Sequence, residues 1–268
     1  MERHRRLALR TGHSMPALGL GTWQLTHDAV PVLEDALRLG YRMIDTSCDY
    51  RTQAAVGEAI RASEIDRSDL FVVTKVEEND DAYEATRRNL RELGLEYADL
   101  VLIHRPPPGG EVGTDLWTGL MRARRDGLTR DIGVSNYSTA QIESLVTKAC
   151  EVPVVNQIEW SPFGWSSDML DYCTLRGIVV QAYSPLTRAL RLDDDMLIAL
   201  AAEYERSPAQ ILLRWDLQLG VAPVPKAARH EHLLENLAAL DFELSGAHME
   251  ELEELNEHYS ALGSLPYV

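Results

Sequence analysis

Residues 41 to 50 read Y-R-M-I-D-T-S-C-D-Y. Tyr41, Met43 and Ile44 have the character of a short buried strand. The polarity then changes abruptly, to Asp45, Thr46, Ser47, Cys48, Asp49 and Tyr50. A carboxylate and a phenol at the C-terminal end of a buried strand stand where α/β barrels place their chemistry. Two later apolar runs end at Lys75 and His104. The four side chains suit the conversion of a carbonyl to an alcohol. A carbonyl becoming an alkoxide needs a proton donor, and a phenol near its ordinary pKa of about 10 is a poor one at neutral pH. A buried ammonium beside it would stabilise tyrosinate and lower that value. A carboxylate would keep the ammonium charged and in place. An imidazole at the next strand end would hydrogen-bond the carbonyl oxygen. Taken singly, each residue has a plainer role: Asp45 a helix cap, Tyr50 a rim residue, His104 a satisfied histidine, Lys75 a solvated strand end or a Schiff-base lysine. Their joint placement at strand ends carries the reading.

The elements that would position them alternate along the chain. Short apolar runs are expected as strands at 17–23, 41–45, 70–74, 99–103, 129–134, 152–157, 178–182 and 221–224. Helical patterns follow at 27–39, 53–62, 81–93, 114–125, 138–149, 167–175, from Ser207-Pro208 onward, and at 231–239. Ser207-Pro208 is an N-cap with proline at the first helical position. The stretch after residue 245 is acidic and helical in pattern. Strands without apolar–polar alternation belong to a parallel sheet covered on both faces. Eight such units predict a (β/α)8 TIM barrel, an α/β fold forming a single domain over residues 1–268. An open doubly wound sheet is the alternative. It is weakened at Gly19-Leu20-Gly21, where Gln24 stands in place of the third glycine of a dinucleotide loop.

Composition narrows the classes. A net charge of −16 repels nucleic acid and anionic membrane. No run reaches the roughly 18 apolar residues of a membrane span. The basic N-terminus lacks the apolar core of a signal peptide. Cys48, Cys150 and Cys173 are few and scattered, which argues for reduced thiols in a cytoplasmic protein without a metal knuckle. Three of the 26 basic residues are lysines, and two of them, Lys75 and Lys226, fall in segments suited to chemistry.

The segments G-Y-R-M-I-D-T-S-C-D-Y, V-T-K, L-V-L-I-H-R-P, I-G-V-S-N-Y, N-Q-I-E-W-S-P, Q-A-Y-S-P-L and P-V-P-K resemble, in order and spacing, the signatures of the aldo-keto reductase family. The resemblance spans nearly the whole chain. It implies a barrel that binds NADP(H) in extended form without a Rossmann fold. It implies Tyr50 as general acid, tuned by Lys75 and Asp45, with His104 orienting a small carbonyl substrate. Ser135, Asn136 and Gln157 match positions that bind the nicotinamide carboxamide. Tyr183 matches the ring that stacks on the nicotinamide, and Ser184 and Leu186 match the pyrophosphate segment. Thr22 and Trp23 match the first βα loop, with Trp23 on the substrate side. Lys226, Arg229, His232, Glu235 and Asn236 match the adenosine end.

Three positions depart from the common family pattern. Arg105 replaces a tryptophan after the tetrad histidine and is a candidate contact for carboxylates or polyols. Ala227 replaces a serine and His232 an arginine near the 2′-phosphate. Lys226, Arg229, His230 and His232 still gather positive charge in an acidic chain. The expectation is therefore an NADPH preference with measurable use of NAD(H), sharpening towards pH 6 as His232 gains charge. A monomer is expected. Two rivals remain at this stage: a barrel lyase using Lys75 as a Schiff base, and a cofactor-binding module without turnover.

Overall fold

The computed structural model describes residues 5–25 and 29–267. Ten strands and ten α-helices occur among them. An antiparallel hairpin, β1 (Arg6–Ala8) and β2 (Ser14–Pro16), precedes the barrel. The barrel proper is β3 (Leu20–Gly21), β4 (Met43–Asp45), β5 (Phe71–Val76), β6 (Ala98–Ile103), β7 (Thr129–Ser135), β8 (Val155–Glu159), β9 (Val179–Tyr183) and β10 (Ala222–Pro223). These eight pair in chain order, all parallel. The ring closes where Gly19 N–H donates to Pro223 O at 3.0 Å and Gly21 N–H to Pro225 O at 3.1 Å. Gly21 has to be glycine at this seam, since a Cβ there would lie 2.6 Å from Val224 O. The fold is thus the (β/α)8 barrel that the strand count predicts.

Helices α1 (Ala29–Leu39), α2 (Gln53–Ala62), α3 (Ala82–Leu93), α4 (Thr114–Arg125), α5 (Thr139–Ala149), α6 (Ser167–Arg176), α7 (Asp195–Glu203), α8 (Pro208–Gln218), α9 (His230–Leu237) and α10 (Gly246–Glu253) surround the sheet. The first two residues of the helix expected over 27–39 lie outside the described residues. Serine caps with glutamine three residues on, Ser138–Gln141 and Ser207–Gln210, close capping boxes at α5 and α8. No helix among the described residues is long and apolar enough to cross a membrane.

Three features differ from the sequence reading. The first strand is only Leu20–Gly21, and the chain reaches it from a hairpin whose pairing ends at Pro16. Helix α7, capped by Asp194, was not expected. The acidic C-terminal stretch leaves the helix after Glu253, and the backbone N–H groups of Glu257 and Tyr259 donate to Phe163 O instead.

The two-residue period of the strands layers the barrel interior. Met43, Phe71, Val73, Leu100, Leu102 and Val155 fill its middle, over a floor formed by Leu9 and Met15 of the hairpin. The next inward positions towards the C-terminal rim are Asp45, Lys75, His104 and Gln157. The alternation that buries the apolar layer therefore also aims the polar residues at a common mouth.

Candidate active site

Asp45 ends β4, Lys75 lies near the end of β5, and His104 follows β6. A single 3-10 turn over Cys48–Tyr50 brings the phenol back across the barrel mouth. Ser47 Oγ caps the turn by accepting from Asp49 N at 3.3 Å, and Arg51 ends it in the left-handed region. Lys75 is wholly buried and donates to Asp45 Oδ1 at 2.7 Å and to Thr46 O at 3.1 Å. Its Nζ lies 4.8 Å from the centre of the Tyr50 ring. The rings of Tyr50 and His104 meet edge-on, with centres 5.9 Å apart. The structure thus brings the four candidate catalytic residues together.

Burial works against the charge on Lys75, but Asp45 and Tyr50 hold its ammonium above the ordinary value. Burial pushes the Tyr50 phenol up. The Lys75 ammonium pulls it down, as the sequence reading expects, yet burial with the help of Asp45 is the larger effect. Tyr50 therefore carries its proton at neutral pH. A Schiff-base lysine must be a neutral amine to attack a carbonyl. Lys75 is arranged in the opposite sense.

A cleft of about 650 Å³ runs from these residues across the barrel mouth. At one end Ser135 Oγ donates to Gln157 O at 2.7 Å, and Asn136 Nδ2 donates to His104 O at 3.0 Å. Tyr183 donates its phenolic hydrogen to Asn136 Oδ1 at 2.7 Å. Gln157 Nε2 donates to Asp45 Oδ2 at 2.7 Å and to Gln181 Oε1 at 2.6 Å, which leaves Oε1 as its ligand acceptor. At the other end Lys226, His232, Glu235 and Asn236 line the wall. Asn236 is 2% exposed, and its side-chain amide lies against the Tyr41 phenol at the cleft wall. Trp23, Arg105, Ser184 and Leu186 line the cleft as well. A long cleft with an amide acceptor at one end, and a lysine and an asparagine amide at the other, fits an extended dinucleotide.

Two expected cofactor residues are placed elsewhere. Thr22 is fully buried behind the wall. Its hydroxyl donates to Asp45 O at 3.0 Å and shares a 2.8 Å hydrogen bond with Thr52 Oγ1, so it clamps β3 to β4. Arg229 does not line the cleft, and its Nη2 donates to His232 Nε2 at 2.5 Å. His230 turns to Asp35 of α1, with Nδ1 at 2.7 Å from Oδ2.

Other lining residues were missed. Arg188 lies over Trp23, its Cζ 4.4 Å from the ring centre, on a segment where Ser184, Thr187, Arg188 and Ala189 all have positive φ. Leu262 comes from the C-terminal tail. That tail is fastened to Glu159 at the end of β8. Glu159 Oε1 accepts from Ala261 N at 2.7 Å, and Oε2 from Ser260 Oγ at 2.6 Å. Ser260 Oγ in turn accepts from the backbone N–H groups of Leu262, Gly263 and Ser264. Such long-range contacts leave no mark in a local pattern.

The Aldo/keto reductase family model matches residues 17–257. The chain is 41% identical to an aldo-keto reductase of Mycobacterium tuberculosis over 94% of its own length and 91% of the relative's. It is 38% identical to the glyoxal reductase of Bacillus subtilis, over 93% of this chain and 92% of that one. The crystal structure of a Bombyx mori aldo-keto reductase in complex with NADP superposes with a TM-score of 0.89 at 32% identity, covering 96% of this chain and 94% of the other. A (β/α)8 barrel with an Asp–Lys–Tyr–His cluster at its mouth defines the class, and the chain belongs to the aldo/keto reductase family.

Proposed function

We propose that this chain reduces small aldehydes and ketones with NADPH, Tyr50 giving the proton. Dicarbonyls, keto-sugars and keto acids are the substrate classes in view, the first in line with the relative named glyoxal reductase. The observation that carries the reading is the wholly buried Lys75–Asp45 pair set against the Tyr50 ring. NADPH supplies the hydride when bound. Ser135, Asn136 and Gln157 would hold its carboxamide and Tyr183 its ring, with Ser184 and Leu186 at the pyrophosphate and Lys226, His232, Glu235 and Asn236 at the adenosine end. His104 orients the carbonyl oxygen, and Trp23 and Leu262 wall the substrate side. The working form is a cytoplasmic monomer. A panel of carbonyl substrates, followed by cofactor absorbance with NADPH and NADH, tests the reading. No turnover with any of them, despite NADPH binding, would leave only a cofactor-binding module.

Arg105 lines the cleft next to His104, and among the described residues it makes no ion pair. Arg105→Ala is expected to lower kcat/KM for keto acids about tenfold or more, and to spare neutral ketones of similar size, because a guanidinium pairs with a carboxylate through two parallel hydrogen bonds. Equal losses on both substrate classes would remove Arg105 from substrate recognition.

His232→Arg is expected to tighten NADPH by about 1.5–3 kcal/mol through a charge-assisted contact with the 2′-phosphate. NADH binding should barely change. Titrating both cofactors by quenching of protein fluorescence checks this, and an unchanged affinity ratio would place His232 away from the phosphate.

A further inference from the structure

Glu77 lies two residues beyond Lys75, in the run V-E-E-N-D, which reads in sequence as a solvated acidic loop. In the fold it is half-buried and turned to His104, with Oε1 2.8 Å from Nδ1. The same oxygen accepts from Ser47 Oγ at 3.3 Å and is approached by Cys48 Sγ at 3.8 Å. The Glu77 backbone N–H donates to Asp80 Oδ2 at 3.0 Å, and Asp80 is paired with Arg88. The His104 backbone N–H donates to Val76 O at 2.9 Å. Both partners are therefore held from the main chain as well. Burial pushes the Glu77 carboxyl up, but the contact with His104, helped by Arg105 and Ser47, holds it below the usual carboxylate range. Glu77 is thus ionised and can only accept, so His104 Nδ1 carries a hydrogen.

That assignment conflicts with a neutral ring at work. A neutral imidazole has one N–H, and which nitrogen bears it is set by the partner of the other. With the hydrogen on Nδ1, Nε2 is a bare lone pair and repels a carbonyl oxygen. Nε2 can orient the oxygen only when the ring holds a second proton.

We propose that Glu77 is a positioning residue that holds His104 as an imidazolium in the working protein, so that the carbonyl oxygen meets a charged donor beside the Tyr50 phenol. This rests on the carbonyl-reducing reading above. During reduction the carbonyl carbon takes up hydride and its π pair moves onto oxygen. The Tyr50 proton passes to that oxygen. The tyrosinate left behind faces the Lys75 ammonium on one side and the imidazolium edge on the other, and is reprotonated from water. The His104 Nε2–H donates throughout and stays on nitrogen. The charged and titratable groups around His104 are Glu77 at Nδ1, Tyr50 against the ring, Arg105 next in the chain, Cys48 on the shared Glu77 oxygen, and Asp80 with Arg88 behind Glu77.

The test compares wild type with Glu77→Gln and Glu77→Asp. The pH profile of kcat/KM for reduction is measured, together with the 15N signals of the His104 ring, with and without NADP+, assigned by loss in His104→Gln. Wild type is expected to show both ring nitrogens protonated near neutral pH, and a rate that falls as the second proton leaves. In Glu77→Gln the falling limb should move about one pH unit or more to the acid side, a loss of about tenfold at the alkaline end that vanishes at the acid end. The loss should appear in kcat rather than KM, and Glu77→Asp should recover most of it. A loss equal at every pH would mean a merely structural role and would overturn the proposal. So would an unshifted profile, or a singly protonated ring in the wild type. A wild type without carbonyl turnover would sink the functional reading instead, and the ring signals would still decide for or against Glu77.

Discussion

Tyr50→Phe is expected to lower carbonyl reduction about 10²–10⁴-fold, the usual worth of a positioned general acid, while NADPH binds with nearly wild-type affinity. The phenyl ring keeps the packing against His104 and over Lys75, so only the hydroxyl is lost. Burial keeps the phenol protonated at neutral pH, which makes it a ready source of the proton. Single-turnover reduction with preloaded NADPH separates chemistry from release. A variant that turned over at close to the wild-type rate would mean that the proton comes from elsewhere, with His104 the first place to look.

Lys75→Met is expected to cripple turnover and destabilise the fold. Without the ammonium the pull that opposes burial is gone, and the phenol becomes a weaker acid still. The sign is clearest in alcohol oxidation with NADP+, where tyrosinate is the base. There the rate rises with pH as Tyr50 ionises, and losing Lys75 should carry that rise to higher pH. Among the described residues the variant also leaves Asp45 buried and bonded only to Gln157 Nε2, and an uncompensated buried charge costs about 3–5 kcal/mol. Combining it with Asp45→Asn should return much of the stability and none of the turnover, as read by thermal unfolding and assay side by side. An unchanged oxidation profile in Lys75→Met would show that the ammonium does not tune the phenol.

The barrel was legible because its strands are apolar runs that end in a polar residue. One alternation both buries Val73 inside the barrel and aims Lys75 at its mouth. The site was legible for the same reason, Asp45, Lys75 and His104 being the last inward positions at their strand ends, with Tyr50 on the turn that follows β4. Glu77 escaped notice because its role depends on a neighbouring strand, not on its own acidic run. Thr22 and Arg229 matched family positions, but the Thr22 hydroxyl is spent inside the protein on Asp45 O, and Arg229 lies at the surface beside His232, off the cleft lining. Such competition between partners is settled only by packing. The hairpin under the barrel is too short to show a period, and Leu262 reaches the cleft through bonds to Glu159, about a hundred residues earlier in the chain.

Strand β8 carries Gln157 and, two residues on, Glu159. The first shapes the amide end of the cleft, and the second grips the loop that presents Leu262. One strand thus works as a ruler between the amide end of the cleft and the wall at Leu262. Because the grip is on the backbone of Ala261 and the hydroxyl of Ser260, the residue at the tip is free to vary. Exchanging Leu262 would alter the shape of the wall without moving the ruler, so on the proposed function substrate range could drift under selection while Gln157 stays where it is.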